Sequence, residues 1–105
     1  DKEMEIILSK NKKLNNPKGK EKISNMIKVA SLTRKGFISG DISTVMSPRT
    51  VLNWCNNSEI FKDVGYAFRV TFLNKCDDTE KSTIAEYYQR CFGEDLPESM
   101  VNIQL

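Results

Sequence analysis

VGYAFRVTFL, Val64 to Leu73, is the stretch on which the fold class turns. Its apolar residues, Val64, Tyr66, Ala67, Phe68, Val70, Phe72 and Leu73, fall at both odd and even positions, the pattern of an element buried nearly all round. A run of this length fits a central strand or a buried helix, and periodicity alone does not separate the two. A strand would need a second strand to satisfy its N–H and C=O groups, and no other segment carries a strand signal. Every neighbour has a helical pattern, so the run reads as a helix. The chain is then all-α: a small four- to five-helix bundle forming one domain, 1–105.

The flanking segments support that choice. Met4, Ile7 and Leu8 recur at helical spacing, with Ile6 beside them, so the spacing predicts a short helix over Glu3 to Leu14 that Asn15-Asn16-Pro17 closes. Ile23, Met26, Ile27, Ala30 and Phe37 then share a face opposite Lys20, Lys22, Lys28 and Lys35, which predicts the longest helix over about Lys20 to Arg34 or slightly beyond. Gly36 and Gly40 bracket the next residues, and Asp41 to Met46 reads as irregular chain.

A third helix begins at Ser47-Pro48-Arg49. Ser47 is suited to accept a hydrogen bond as N-cap, and Pro48 fits the first helical position because its missing N–H had no partner there. Its inward face is Val51, Leu52 and Cys55, with Trp54 alongside; Asn56-Asn57-Ser58 suggests fraying, though Ile60 and Phe61 are able to extend it. Asp77 with Glu80 three residues on resembles a capping box. Ile84, Tyr87, Tyr88 and Cys91 follow on one face until Gly93 supplies a stop, and 96–105 reads as a loosely attached tail.

Composition narrows the function classes. At 105 residues, 39% hydrophobic and 29% charged, the chain matches a globular domain, and no apolar run approaches a membrane span. Net charge is only +2, although Lys10, Lys12, Lys13, Lys18, Lys20, Lys22 and Lys28 crowd the first third. Glu3, Glu5 and Glu21 interrupt that region and no aromatic is interleaved for base stacking, so it reads as a solvated face, with no specific nucleic-acid partner expected. A helical nucleic-acid or protein interaction module is the alternative from a different class.

Cys55, Cys76 and Cys91 are odd in number, widely spaced and accompanied by no histidine. They match neither a disulfide framework nor paired metal ligands, so no metal site is expected and reduced thiols in the cytoplasm are. The chain begins with Asp and has no signal-peptide pattern, as expected of a piece of a longer protein. The five glycines are isolated and no G-x-x-x-x-G-K-[ST] loop occurs, so the chain alone is expected to hold no ATP tightly. Without histidine, Ser-His and Cys-His nucleophilic triads are excluded. Asp77 and Asp78 serve as helix-start residues, and Trp54, Phe68 and Phe72 as core.

Arg49 is the side chain with the strongest functional signal. A cation in a helix's first turn opposes the dipole by about 0.3–1 kcal/mol, so local stability disfavours it there. A helix start also offers free N–H groups, and an arginine adds a bidentate partner for phosphate oxygens.

Three blocks then carry a resemblance: GDISTVMSPRTVLNW from Gly40, EIFKDVGYAFRVTFLNKCDD from Glu59, and EYYQRCFGEDLPE from Glu86. Over roughly Gly19 to Glu98 the chain resembles the C-terminal part of the AAA+ ATPase subunits of aerobic cobaltochelatases, the CobS type, which serve cobalt insertion into a corrin ring in cobalamin biosynthesis. The resemblance implies an ATP-dependent ligase subunit whose upstream core, absent here, holds the phosphate loop, ATP and Mg2+. This piece would be the α-helical lid, inactive on its own, with Arg49 as the sensor-2 arginine that reaches the γ-phosphate and Ser47 and Pro48 positioning it. It further implies a ring, hexameric by expectation, in which Tyr66, Tyr87 or Tyr88 face a partner. A metal-binding adaptor subunit and a large tetrapyrrole-binding subunit would complete the assembly. The lid of another MoxR-like or magnesium-chelatase-type ATPase is the alternative within the same fold.

Overall fold

The computed structural model describes residues 2–93. They form α1 (Lys2–Lys10), a 3₁₀ turn at Lys12–Leu14, α2 (Pro17–Ser39), α3 (Pro48–Phe61), α4 (Val64–Thr71), a second 3₁₀ turn at Leu73–Lys75 and α5 (Lys81–Phe92). No strand occurs among the described residues, and the all-α bundle expected from the sequence is the observed fold. The tail expected over 96–105 lies outside the described residues.

The stretch 64–73 is helical through Thr71 and then tightens into the second 3₁₀ turn. Asp63 caps it, its Oδ1 accepting from the Tyr66 N–H at 3.0 Å. Gly65, Ala67, Phe68, Thr71, Phe72 and Leu73 are buried, as the two-sided apolar pattern required, while Val64, Tyr66 and Val70 are half-buried. α4 packs chiefly on α3, and α5 on α2. Trp54 joins the two pairs: its ring is fully buried, 4.8 Å from Phe68, 6.4 Å from Tyr88 and 5.8 Å from Phe92 between centroids. Its Nε1–H donates to the Val64 carbonyl at 2.9 Å, so the one polar atom of the ring is satisfied inside the core. Trp54, Phe68 and Phe72 are core residues, as read from their spacing.

Several boundaries differ from the sequence reading. The first helix stops at Lys10, because the chain breaks into a 3₁₀ turn whose Leu14 N–H bonds to the Asn11 carbonyl. Its face is as expected, with Ile7 buried and Ile6 exposed. Asn16 and Pro17, read as a closing signal, instead open α2: Asn16 Oδ1 accepts from the Gly19 N–H at 2.8 Å, and Pro17 sits in the first turn. α2 also runs past Arg34 to Ser39. Gly36 does not end it, since a Cβ there would stand 2.5 Å from the Tyr87 hydroxyl, and the glycine lets α5 approach. Gly40 is the stop, with φ 85° in the left-handed region that favours glycine. Phe37, assigned to the inward face, is 49% exposed because the stripe drifts round the longer helix.

α3 does not fray at Asn56-Asn57-Ser58. Asn57 Nδ2 donates to Thr71 Oγ1 on α4 at 2.8 Å, and the buried Ser58 hydroxyl donates to the Cys55 carbonyl at 2.8 Å. These two bonds give the polar trio partners and carry the helix to Phe61. The capping box is likewise absent: α5 starts after Glu80, whose carboxylate accepts from the backbone N–H and the hydroxyl of Ser43 at 3.0 and 3.1 Å. Glu80 therefore fastens the α2–α3 loop to the start of α5. Asp78 pairs with Lys81 at 2.9 Å on the surface. Gly93 caps α5 as read, with φ 74°.

Candidate functional site

The start of α3 follows the local chemistry read from Ser47-Pro48. Ser47 is extended, φ −78° and ψ 165°, and its Oγ accepts from the Thr50 N–H at 3.2 Å while lying 3.0 Å from the Thr50 hydroxyl. Its carbonyl accepts the first helical bond, from the Val51 N–H at 3.1 Å. Pro48 has no N–H to orphan. Arg49 follows, exposed to solvent, and its guanidinium makes no hydrogen bond or ion pair with another described residue.

What fixes this helix start in space is a clamp on Met46, the residue before the cap. The Met46 N–H donates to Thr33 Oγ1 at 3.0 Å, and its carbonyl accepts from Arg34 Nε at 2.9 Å. Both partners are adjacent on α2, and the Met46 side chain is itself fully buried. The Thr33 hydroxyl can serve as acceptor because its own proton goes to the Ala30 carbonyl at 2.7 Å. Arg34 is held in turn by Glu3 of α1, its two terminal nitrogens donating to Oε1 and Oε2 at 3.1 and 2.9 Å. That bidentate bond, opposed by partial burial, raises the Arg34 pKa above its ordinary value and keeps the guanidinium charged. A chain of contacts therefore runs from α1 through α2 to the peptide that launches Arg49.

Thr33, Arg34 and Glu3 were not singled out from sequence. The available signal was that Thr33 continues the inward stripe three residues past Ala30, where a polar residue must find a buried partner.

The expected lysine face is partly tied down. Lys22 bonds Glu59 of α3 at 2.9 Å, and Lys13 approaches the same carboxylate at 3.7 Å. The Lys22 bond holds the Glu59 carboxyl below its usual range. Lys10, Lys12, Lys18, Lys20 and Lys28 are exposed. Tyr87 and Tyr88, offered as partner-facing, are buried against this chain's own core, because α5 turns both toward α2 and Trp54; of the three tyrosines Tyr66 alone keeps partial exposure. Among the described residues no three His, Cys, Asp or Glu side chains cluster, and no helix is long and apolar enough to cross a membrane.

Fold and site together define a class: an all-α bundle whose third helix opens on a capped, clamped and solvent-facing arginine. Over all 105 residues the chain is 55% identical to the aerobic cobaltochelatase subunit CobS of Sinorhizobium sp., and it spans 32% of that protein's length. The chain is thus a homologue of a region of a CobS-type cobaltochelatase subunit, in agreement with the blocks around Gly40, Glu59 and Glu86. No family model matches the chain, and no solved structure matches it.

Proposed function

We propose that this chain is the lid of an ATP-hydrolysing AAA+ subunit of a cobaltochelatase, and that Arg49 is its sensor-2 arginine. The observation that carries the reading is the state of Arg49: it is set by a cap and a clamp, faces solvent, and has no partner among the described residues. An arginine placed against its helix dipole without an internal contact is explained by an external anion. Its guanidinium fits two phosphate oxygens, and the helix start adds a partial positive charge of the same sense.

In this reading the core outside the chain holds ATP and Mg2+, and the metal neutralises charge on the phosphates. Arg49 reaches the γ-phosphate from the lid side. Loss of that phosphate releases the guanidinium, and because Met46 is bonded to α2 and α2 is tied to α1, the α3 start moves with the bundle as one body. Hydrolysis is so converted into a change of lid-to-core angle. A ring of such subunits in the cytoplasm, hexameric by expectation, would use that rotation to drive cobalt insertion into a corrin. The insertion itself would take place on a large tetrapyrrole-binding subunit with a metal-binding adaptor.

The test is nucleotide discrimination in the complete subunit. A charge-assisted pair is worth about 1.5–3 kcal/mol, so Arg49→Ala is expected to weaken ATP binding by about 10- to 100-fold while leaving ADP binding unchanged. Calorimetric titration with a non-hydrolysable ATP analogue and with ADP separates the two. An equal loss for both nucleotides contradicts a γ-phosphate contact.

A further inference from the structure

Two arginines stand at the start of α3, in opposite surroundings. Arg49 is exposed and bonds to no other described residue, whereas every nitrogen of the Arg34 guanidinium is used inside the chain: Nε donates to the Met46 carbonyl at 2.9 Å, and the two terminal nitrogens donate to Glu3 at 3.1 and 2.9 Å. The Glu3 carboxylate also offsets the charge of Arg34, which leaves Arg49 as the cation available to an external anion.

A carbonyl needs no charged donor, and an amide would satisfy Met46 as well. A guanidinium adds something here through its fork, which lets one planar group hold a carboxylate of α1 and a carbonyl of the α2–α3 loop together. The Met46 carbonyl belongs to the peptide that joins Met46 to Ser47, so the Nε bond sets the plane in which the chain enters the N-cap. Thr33 Oγ1 sets the preceding plane through the Met46 N–H at 3.0 Å. The Ser47 oxygens then accept from the Thr50 and Val51 N–H groups and carry that setting into the first turn, where Arg49 lies. With side chains 32% and 14% exposed, the Arg34–Glu3 pair is of the kind that sets register more than it stabilises.

We propose that Arg34 is a positioning residue for Arg49: held by Glu3, it fixes the peptide before the cap and thereby the direction from which the Arg49 guanidinium meets phosphate oxygens. The inference rests on the nucleotide reading of Arg49 and names the residue that aims it. Without the Nε bond the Met46–Ser47 peptide turns more freely, and a displacement on the order of 1 Å is enough to forfeit much of a two-point contact.

Two replacements isolate that bond. The side-chain amide nitrogen of glutamine lies the same number of bonds from Cα as Arg34 Nε, so Arg34→Gln keeps a donor for the Met46 carbonyl, while Arg34→Met puts a methyl group there; both lose the ion pair with Glu3. In the complete subunit, calorimetric titration of Arg34→Met is expected to show binding of a non-hydrolysable Mg-ATP analogue weakened about tenfold and Mg-ADP binding unchanged, with Arg34→Gln within about threefold of the parent for both. On top of Arg49→Ala, Arg34→Met should cost nothing further, because it acts only through Arg49. An equal loss for both nucleotides, a Gln variant no better than the Met variant, additive losses with Arg49→Ala, or loss of helix content by circular dichroism in Arg34→Met each overturn the proposal and make Arg34 a structural residue. If Arg49→Ala itself spares ATP binding, the nucleotide reading fails and this inference with it. If Arg49→Ala weakens ATP binding and Arg34→Met does not, this inference fails alone.

Discussion

Alanine in place of Arg49 is expected to cut ATP turnover of the complete subunit by about a hundredfold or more, the scale on which one preorganised donor to a transferring phosphoryl group acts. The fold should be spared. Arg49 is exposed and bonds to no other described residue, so no internal contact is lost. Removing a cation from the first turn of α3 also removes an unfavourable dipole interaction of about 0.3–1 kcal/mol, so any shift in melting temperature should be upward. Arg49→Lys keeps the charge but loses the planar fork, and recovers only part of the rate. Steady-state turnover and thermal melts on the same preparations check both halves. A fall in activity accompanied by a fall in stability would instead mark Arg49 as a structural residue.

The largest expected effect on stability is that of Trp54→Ala. Truncating a fully buried aromatic costs about 3–5 kcal/mol, and here the cavity would open where α3, α4 and α5 meet. The Val64 carbonyl would lose its donor as well. Domains of this size are stable by about 5–15 kcal/mol, so the variant should lose at least about a fifth of that margin and melt at a clearly lower temperature. Trp54→Phe keeps most of the apolar volume and removes the N–H, and is expected to cost about 1–3 kcal/mol, mainly from the unsatisfied carbonyl. Urea midpoints at unchanged slope measure both. A shift for Trp54→Ala no larger than that for Trp54→Phe would mean that the ring is not the joint between the two helix pairs.

How far the sequence spoke can be judged from these same residues. Ser47 and Pro48 act through their own backbone and the next three residues, and both were legible because capping is local. Val64 to Leu73 was legible by elimination: its pattern did not name a helix, but the absence of a strand to pair with did. Asn16-Pro17 was misread because an asparagine before a proline marks a loop in one context and a cap with a first-turn proline in the other. Only the following turn decides between them. Glu80 was misread for the opposite reason, since the motif was local and the actual partner, Ser43, lies 37 residues away. The clamp on Met46 was invisible on the same ground, for it joins positions 12, 13 and 31 residues apart in a pattern that periodicity does not encode. Arg49 stood out because its position conflicts with its own helix, and a conflict of that kind is readable without knowing the fold.

The claim that Arg49 faces a nucleotide's terminal phosphate is tested most directly by footprinting the guanidinium itself. In the complete subunit, modification of Arg49 by phenylglyoxal can be followed by peptide mass spectrometry without nucleotide, with Mg-ADP, and with a non-hydrolysable Mg-ATP analogue. Arg49 should react readily in the first two states and be protected in the third. Equal reaction in all three states would contradict the sensor role.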